Sequence, residues 1–168
     1  MRQLLCVLVA GILAVVGSRP AGAAEKESTP EERARIVDLS KKYEYDILAP
    51  GAKKLATEIV KWWTDVPDLG VNWCANLLAD EGVGNKDLAG AVTVQAIAAA
   101  GVFVIENAGR ASDAQATWVA GLEGVVRAYR NVISRDETRR DPFLDKLSTL
   151  QSAGKLGEYV DAHSKTCH

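Results

Sequence analysis

Histidine is almost missing from this chain. There are two in 168 residues, His163 and His168, both within the last six positions. A Ser-His-Asp or Cys-His nucleophile set therefore has nowhere to form except at the tail. The sequence has no H-E-x-x-H, no C-x-x-C, no C-x-x-C-H for haem attachment and no phosphate-cradling glycine loop. Gly82–Val83–Gly84 comes nearest to the last of these, and a lone glycine pair before a helix start reads as a turn. Charge of one sign is not in surplus either. The 20 Lys and Arg are interleaved with 22 Asp and Glu, which gives no long-range attraction for nucleic acid. No low-complexity linker divides the chain and no period repeats.

What is present begins with a leader. Met1–Arg2–Gln3 is a short basic start, Leu4 to Val16 is apolar, and Ala21–Gly22–Ala23 is a small-residue site. That layout is expected of a secretory signal peptide, 1–23, cut between Ala23 and Ala24. The destination is then periplasmic or secreted. The remainder, 24–168, is 145 residues (168 less 23) and is expected to be a single all-α domain with one core. The leader removes Arg2 and Arg19 and no acid, so 18 basic side chains face 22 acidic ones, a net charge of −4. Cys6 leaves with the leader. Cys74 and Cys167 remain, and two cysteines in an oxidising compartment read as one disulfide. It would close a loop of about 94 residues, for which chain entropy gives roughly 4–5 kcal/mol.

Helical periodicity runs almost throughout. Thr29–Pro30–Glu31–Glu32 combines an N-cap, a proline at the first helical position and a capping-box glutamate, opening a helix to about Leu48. Pro50 breaks it. A second helix carries Ala52, Leu55, Ala56, Ile59, Trp62 and Trp63, and Pro67 and Gly70 mark the turn after it. A third and shorter helix is expected to carry Trp73, Cys74, Leu77 and Leu78. Ser112–Asp113–Ala114–Gln115 is a second capping-box pattern before a long amphipathic helix from Trp118 to about Ser134. Asp141–Pro142 starts another, which Gly154 ends. A final helix carries Leu156, Tyr159, Val160 and His163. The expected fold is an all-α, compact bundle of six to seven helices with one disulfide.

Leu88 to Ile105 stands apart. Its 18 positions hold no charge: eight large apolar residues, six Ala, two Gly, and only Thr93 and Gln95 polar. Length and alanine content favour a helix over a strand. Eighteen residues is the lower edge for a membrane span, and alanines add little to partitioning. A buried central helix packed on the Trp118–Ile133 stripe is the expectation, and a wall of small residues beside a hydrophobic guest is the alternative.

Few side chains suggest chemistry. His163, Cys167 and His168 with Cys74 would make a metal set, but the disulfide takes both sulfurs, so neither metal nor cofactor is expected. Glu106 sits where the helix dipole disfavours it, with Arg110 four residues on as its expected partner. Asp80–Glu81 and the row Arg127, Arg130, Arg135, Arg139 and Arg140 read as solvated. Trp62 and Trp63 lie about 100° apart on a helix, so one is expected at the rim of the apolar face, where tryptophan serves as an interface anchor.

The functional expectation is an exported, soluble, non-enzymatic protein that binds another periplasmic or secreted protein, of inhibitor, immunity or adaptor type. A carrier of a small hydrophobic ligand is the alternative, and an enzyme of unrecognised type the third reading. Three observations discriminate them. An exposed patch holding a tryptophan favours the binder, a cavity beside Leu88–Ile105 the carrier, and a cleft gathering Glu106 or His163 with polar groups the enzyme.

Overall fold

The computed structural model describes residues 27–79 and 82–167. The expected leader and its cleavage site, the Asp80–Glu81 pair and His168 lie outside them. Seven α-helices follow one another: α1 Pro30–Tyr45, α2 Ala52–Asp65, α3 Asn76–Ala79, α4 Lys86–Glu106, α5 Ala114–Arg135, α6 Pro142–Ser152 and α7 Leu156–His163. Single 3₁₀ turns at Ala108–Arg110 and Glu137–Arg139 lead into α5 and α6. No strand occurs among the described residues. The all-α bundle read from periodicity is the fold.

Local chemistry sets the helix starts. The Thr29 hydroxyl accepts from the Glu32 N–H, and the Glu32 carboxylate accepts from the Thr29 N–H, which closes the capping box on α1. On α6 the Asp141 carboxylate accepts from the N–H groups of Phe143 and Leu144, with Pro142 in the first turn. The start of α5 differs from expectation. The cap is Asp113 and not Ser112, because the Asp113 carboxylate takes the Ala116 N–H and is also paired with Arg110. A carboxylate is the stronger acceptor and favours the positive end of the helix. Gly154 ends α6 at φ +69°, a left-handed turn that glycine adopts without a Cβ penalty.

The third helix is shorter than the sequence suggests. Among the described residues it spans Asn76–Ala79, and Trp73 and Cys74 precede it in irregular chain. The Asn72 carbonyl there accepts from Trp118 Nε1 at 2.7 Å. That bond anchors the irregular segment against α5.

α4 is the axis of the bundle. It packs most extensively along α5 and also meets α1 and α2. Gln95, Ala96 and Ala98 to Gly101 are all buried, so this stretch is covered on nearly every side. The helix is long and apolar enough to cross a membrane, and half of its apolar window is covered by the other helices. Three small residues set how close its neighbours come. At Gly124 of α5 a Cβ would lie 2.2 Å from the Ala99 Cβ, so the α5 backbone lies directly against the Ala99 methyl. At Gly101 the Trp63 ring occupies the place a Cβ would take, and at Gly121 the Trp73 ring does so.

Around this axis lie Ile36, Tyr43 and Ile59 from α1 and α2, Leu122, Val125, Val126 and Tyr129 from α5, and Leu144, Leu147, Leu156 and Val160 from α6 and α7. At about 25 cal/mol per Å² of apolar surface, each fully buried Leu or Ile contributes about 2 kcal/mol. Cys74 and Cys167 stand at disulfide distance, Cα–Cα 5.6 Å, across 93 positions. The pair ties the segment after α7 to the start of α3, where Asn76 Nδ2 also donates to Thr166 Oγ1 at 2.7 Å.

Candidate functional site

The basic row lies at the surface, as expected, and each arginine is engaged by an acid or a hydrogen-bond acceptor of this chain. Arg127 grips Glu44, Arg135 pairs with Asp46 and donates to the Tyr45 carbonyl, and Arg139 bridges Asp87 and Asp136. Arg140 pairs with Glu137 and Asp145, and Arg130 donates to Ser148 and Ser152. Gly82 makes a left-handed turn at φ +70°. The Asp141 carboxylate lies beside Gly84 and accepts from the Asn85 N–H at 2.9 Å. That acid occupies the ground a phosphate would need.

His163 caps its own helix. Its Nδ1 lies 2.8 Å from the Tyr159 carbonyl, and its ring stacks on Tyr159 at 4.0 Å. Cys167 stands at disulfide distance from Cys74. Glu106 does not pair with Arg110 as its spacing suggests. It reaches Lys41 of α1 at 3.1 Å, while Arg110 turns to Asp113.

Three of the concave regions among the described residues bear on function. The first lies between the start of α1 and the end of α2. Trp62 and Trp63 form an edge-to-face pair, centroids 4.8 Å apart and planes at 89°. Trp63 goes inward onto Gly101, and half-buried Trp62 lines a groove of about 320 Å³. Glu32, Arg35, Glu58, Lys61 and Asp65 surround it with charges of both signs, Arg35 paired to Glu58 and Lys61 to Asp65. The far end is held by Asp68, which accepts from the Ser28 backbone and hydroxyl and from Arg33. Burial works against the Asp68 carboxylate, but these hydrogen bonds outweigh it and hold its pKa below the usual range.

The second is an open groove of about 550 Å³ beside the first half of α4. Its floor is Tyr43, Ile47, Ala52, Ala91 and Val94, and Lys53, Asp87 and Arg139 stand at its edge. Tyr43 donates to the Ala91 carbonyl at 3.1 Å, and burial pushes its phenol up to about 12.

The third is a narrower cleft of about 380 Å³ between α1, α4 and α5. Glu44 lies at its centre, accepting from Arg127 Nε at 2.8 Å, Arg127 Nη2 at 3.0 Å and Gln95 Nε2 at 2.9 Å. The hydrogen bond to Glu44 raises the Arg127 pKa, against partial desolvation. Gln95 is only 1% exposed, and its Oε1 accepts from no group among the described residues. Lys41 and Glu106 close the outer edge. Glu106 thus does join other polar groups, but they are ion-paired, and the one hydroxyl there, Ser40, donates to the Ile36 carbonyl at 2.8 Å.

Sequence reasoning singled out Trp62, Trp63 and Glu106 and missed Glu44 and Gln95. The available signal was Gln95 itself, one of two polar residues in an uncharged run of 18. No protein-family model, curated protein or solved structure matches this chain.

Proposed function

We propose that this chain is an exported, non-enzymatic binding protein whose partner is another exported protein, docked on the groove at Trp62. The observation that carries the reading is the division of labour in the Trp62–Trp63 pair. Trp63 is locked onto Gly101 and fixes the ring beside it, so Trp62 is presented as a pre-set aromatic anchor inside a charged rim. Binding hot spots have this form, a rigid aromatic with a surround that excludes water, and a fixed ring loses little rotamer entropy on docking. The cysteine pair at disulfide distance supports an oxidising compartment.

A photo-crosslinker in place of Lys61 tests this in the producing cell. It is expected to trap one defined partner, trapping to be lost with Trp62→Ala, and a crosslinker at Lys155 to trap none. Equal trapping from both positions, or trapping indifferent to Trp62→Ala, would refute the site. Intact mass tests export, with a mature start at Ala24 as the expected result.

The α1–α2–α4 groove supports a second reading, the hydrophobic-ligand carrier, because its floor is apolar and cations stand at its edge. Native mass spectrometry of protein purified from its own compartment separates the two. A retained small amphiphile would favour the carrier.

A further inference from the structure

We propose that the cleft between α1, α4 and α5 binds a short α-amino-acid zwitterion, a free amino acid or dipeptide, with its N–H end on Gln95 Oε1 and its carboxylate on Arg127 and Lys41. This site shares no lining residue with the Trp62 groove and stands or falls separately from it.

The argument starts from Gln95. A buried amide oxygen without a donor has given up its hydration with nothing in return. Gln95 cannot relieve this by flipping its amide, because its Nε2 is held by the Glu44 carboxylate, which accepts and cannot donate. Gln95 lines a cleft large enough for a small solute, and its Oε1 is covered as the structure stands, so an N–H donor entering the cleft reaches this acceptor by displacing the part-exposed side chains around it. Ser40 reinforces that polarity. Its hydrogen is committed to Ile36, which leaves only oxygen lone pairs toward the cleft.

The outer wall has the opposite character. Arg127 uses Nε and Nη2 on Glu44, which leaves its Nη1 donors for a second anion. Lys41 uses one donor on Glu106 and keeps two. The four charged side chains sum to zero, two cations and two carboxylates. A net anion or net cation would break that balance in a half-buried setting, whereas a zwitterion preserves it. Donors outside and acceptors inside set its direction.

Calorimetric titration of the full mature chain with L-alanyl-L-alanine tests this, with N,N,N-trimethylglycine and ethylamine as comparison solutes. The dipeptide is expected to bind saturably. Trimethylglycine keeps both charges but has no N–H, and ethylamine has no carboxylate, so each is expected to bind at least tenfold more weakly. Gln95→Met keeps the volume and removes the acceptor, and should weaken dipeptide binding at least tenfold. Arg127→Met, at a more exposed position, should do the same and decides the matter if Gln95→Met does not fold. No dipeptide binding at millimolar concentration, equal binding of ethylamine or trimethylglycine, or unchanged binding in a folded variant would each overturn the proposal.

Discussion

Two glycine-to-alanine changes, one on each of the two longest helices, should move stability in opposite directions. In a helix interior, alanine is favoured over glycine by about 1 kcal/mol. At Gly90 of α4 an added Cβ meets nothing within 4 Å, so Gly90→Ala should realise most of that gain. At Gly124 of α5 the Cβ would fall 2.2 Å from the Ala99 Cβ, with Gln95 Nε2 at 3.2 Å. A Cβ is fixed to its backbone and cannot rotate away, so the helices must part by roughly 1.5 Å to restore ordinary carbon contact. Overpacking of this kind costs about 1–3 kcal/mol. Here it falls on the most extensive interface of the bundle, so the upper end applies, and after the propensity gain Gly124→Ala should lose about 2 kcal/mol. For a domain of this length that is a fall in Tm of roughly 6 °C, against a rise of roughly 3 °C for Gly90→Ala. Thermal and urea unfolding followed by far-ultraviolet circular dichroism measures both. If Gly124→Ala is as stable as the parent chain or more so, α4 and α5 do not meet at Ala99 and the placement of the central helix is wrong.

Removing the bridge by Cys74→Ser should lower stability by about 2–5 kcal/mol, read as a shift in urea midpoint; alkylation of both cysteines without reductant would show that no bridge exists. Asp141→Ala strips three backbone N–H groups of their acceptor, two at the start of α6 and one at Asn85, and should cost about 3 kcal/mol by the same assay, with a loss under about 1 kcal/mol contradicting the burial of that carboxylate. At alkaline pH the unfolded chain releases the Tyr43 proton near 10, while the fold retains it to about 12. The fold's contribution from Tyr43 is therefore intact below pH 10 and declines across that window, on the order of 2–3 kcal/mol in all. Tyr129, raised first by burial, titrates in the same direction, so Tyr43→Phe should flatten the decline without abolishing it, and an unchanged pH profile would refute the assignment.

Much of the fold was legible because local chemistry wrote it. The capping box at Thr29 and the Asp-Pro start at 141 fall where the helices begin. The uncharged run from Leu88 marks a helix that has protein on nearly every side through its middle, and its alanines and glycines allow the close approach of α5 and Trp63. What escaped depends on distant partners. Cys74 lies in irregular chain before α3, in a segment that Trp118 anchors through the Asn72 carbonyl from 46 positions away. Glu106 ignores Arg110 because α1 places Lys41 beside it, across 65 positions, and no i,i+4 rule contains that pairing. The polar cleft is the extreme case. Ser40 and Glu44 look like ordinary residues of α1, and Arg127 like one of a basic row. Only Gln95 stood out in its surroundings. Thr93, its polar neighbour in the run, shows what the unremarkable outcome looks like: it is exposed and donates back to the Ala89 carbonyl.

The Asp141 carboxylate also bears on how this end of the molecule breathes. One oxygen holds the first turn of α6 and the other holds the N–H of Asn85, which is itself the cap of α4. Helix ends ordinarily fray independently, each losing its outer turn on its own schedule. Here the two share a single fastening, so a fluctuation that swings Asp141 outward frees both at once. In hydrogen exchange the amides of Asn85, Phe143 and Leu144 should open with one common free energy, though Asn85 stands 56 positions before the Asp141 that joins them. The axis helix is thereby prevented from loosening at its start unless α6 loosens too.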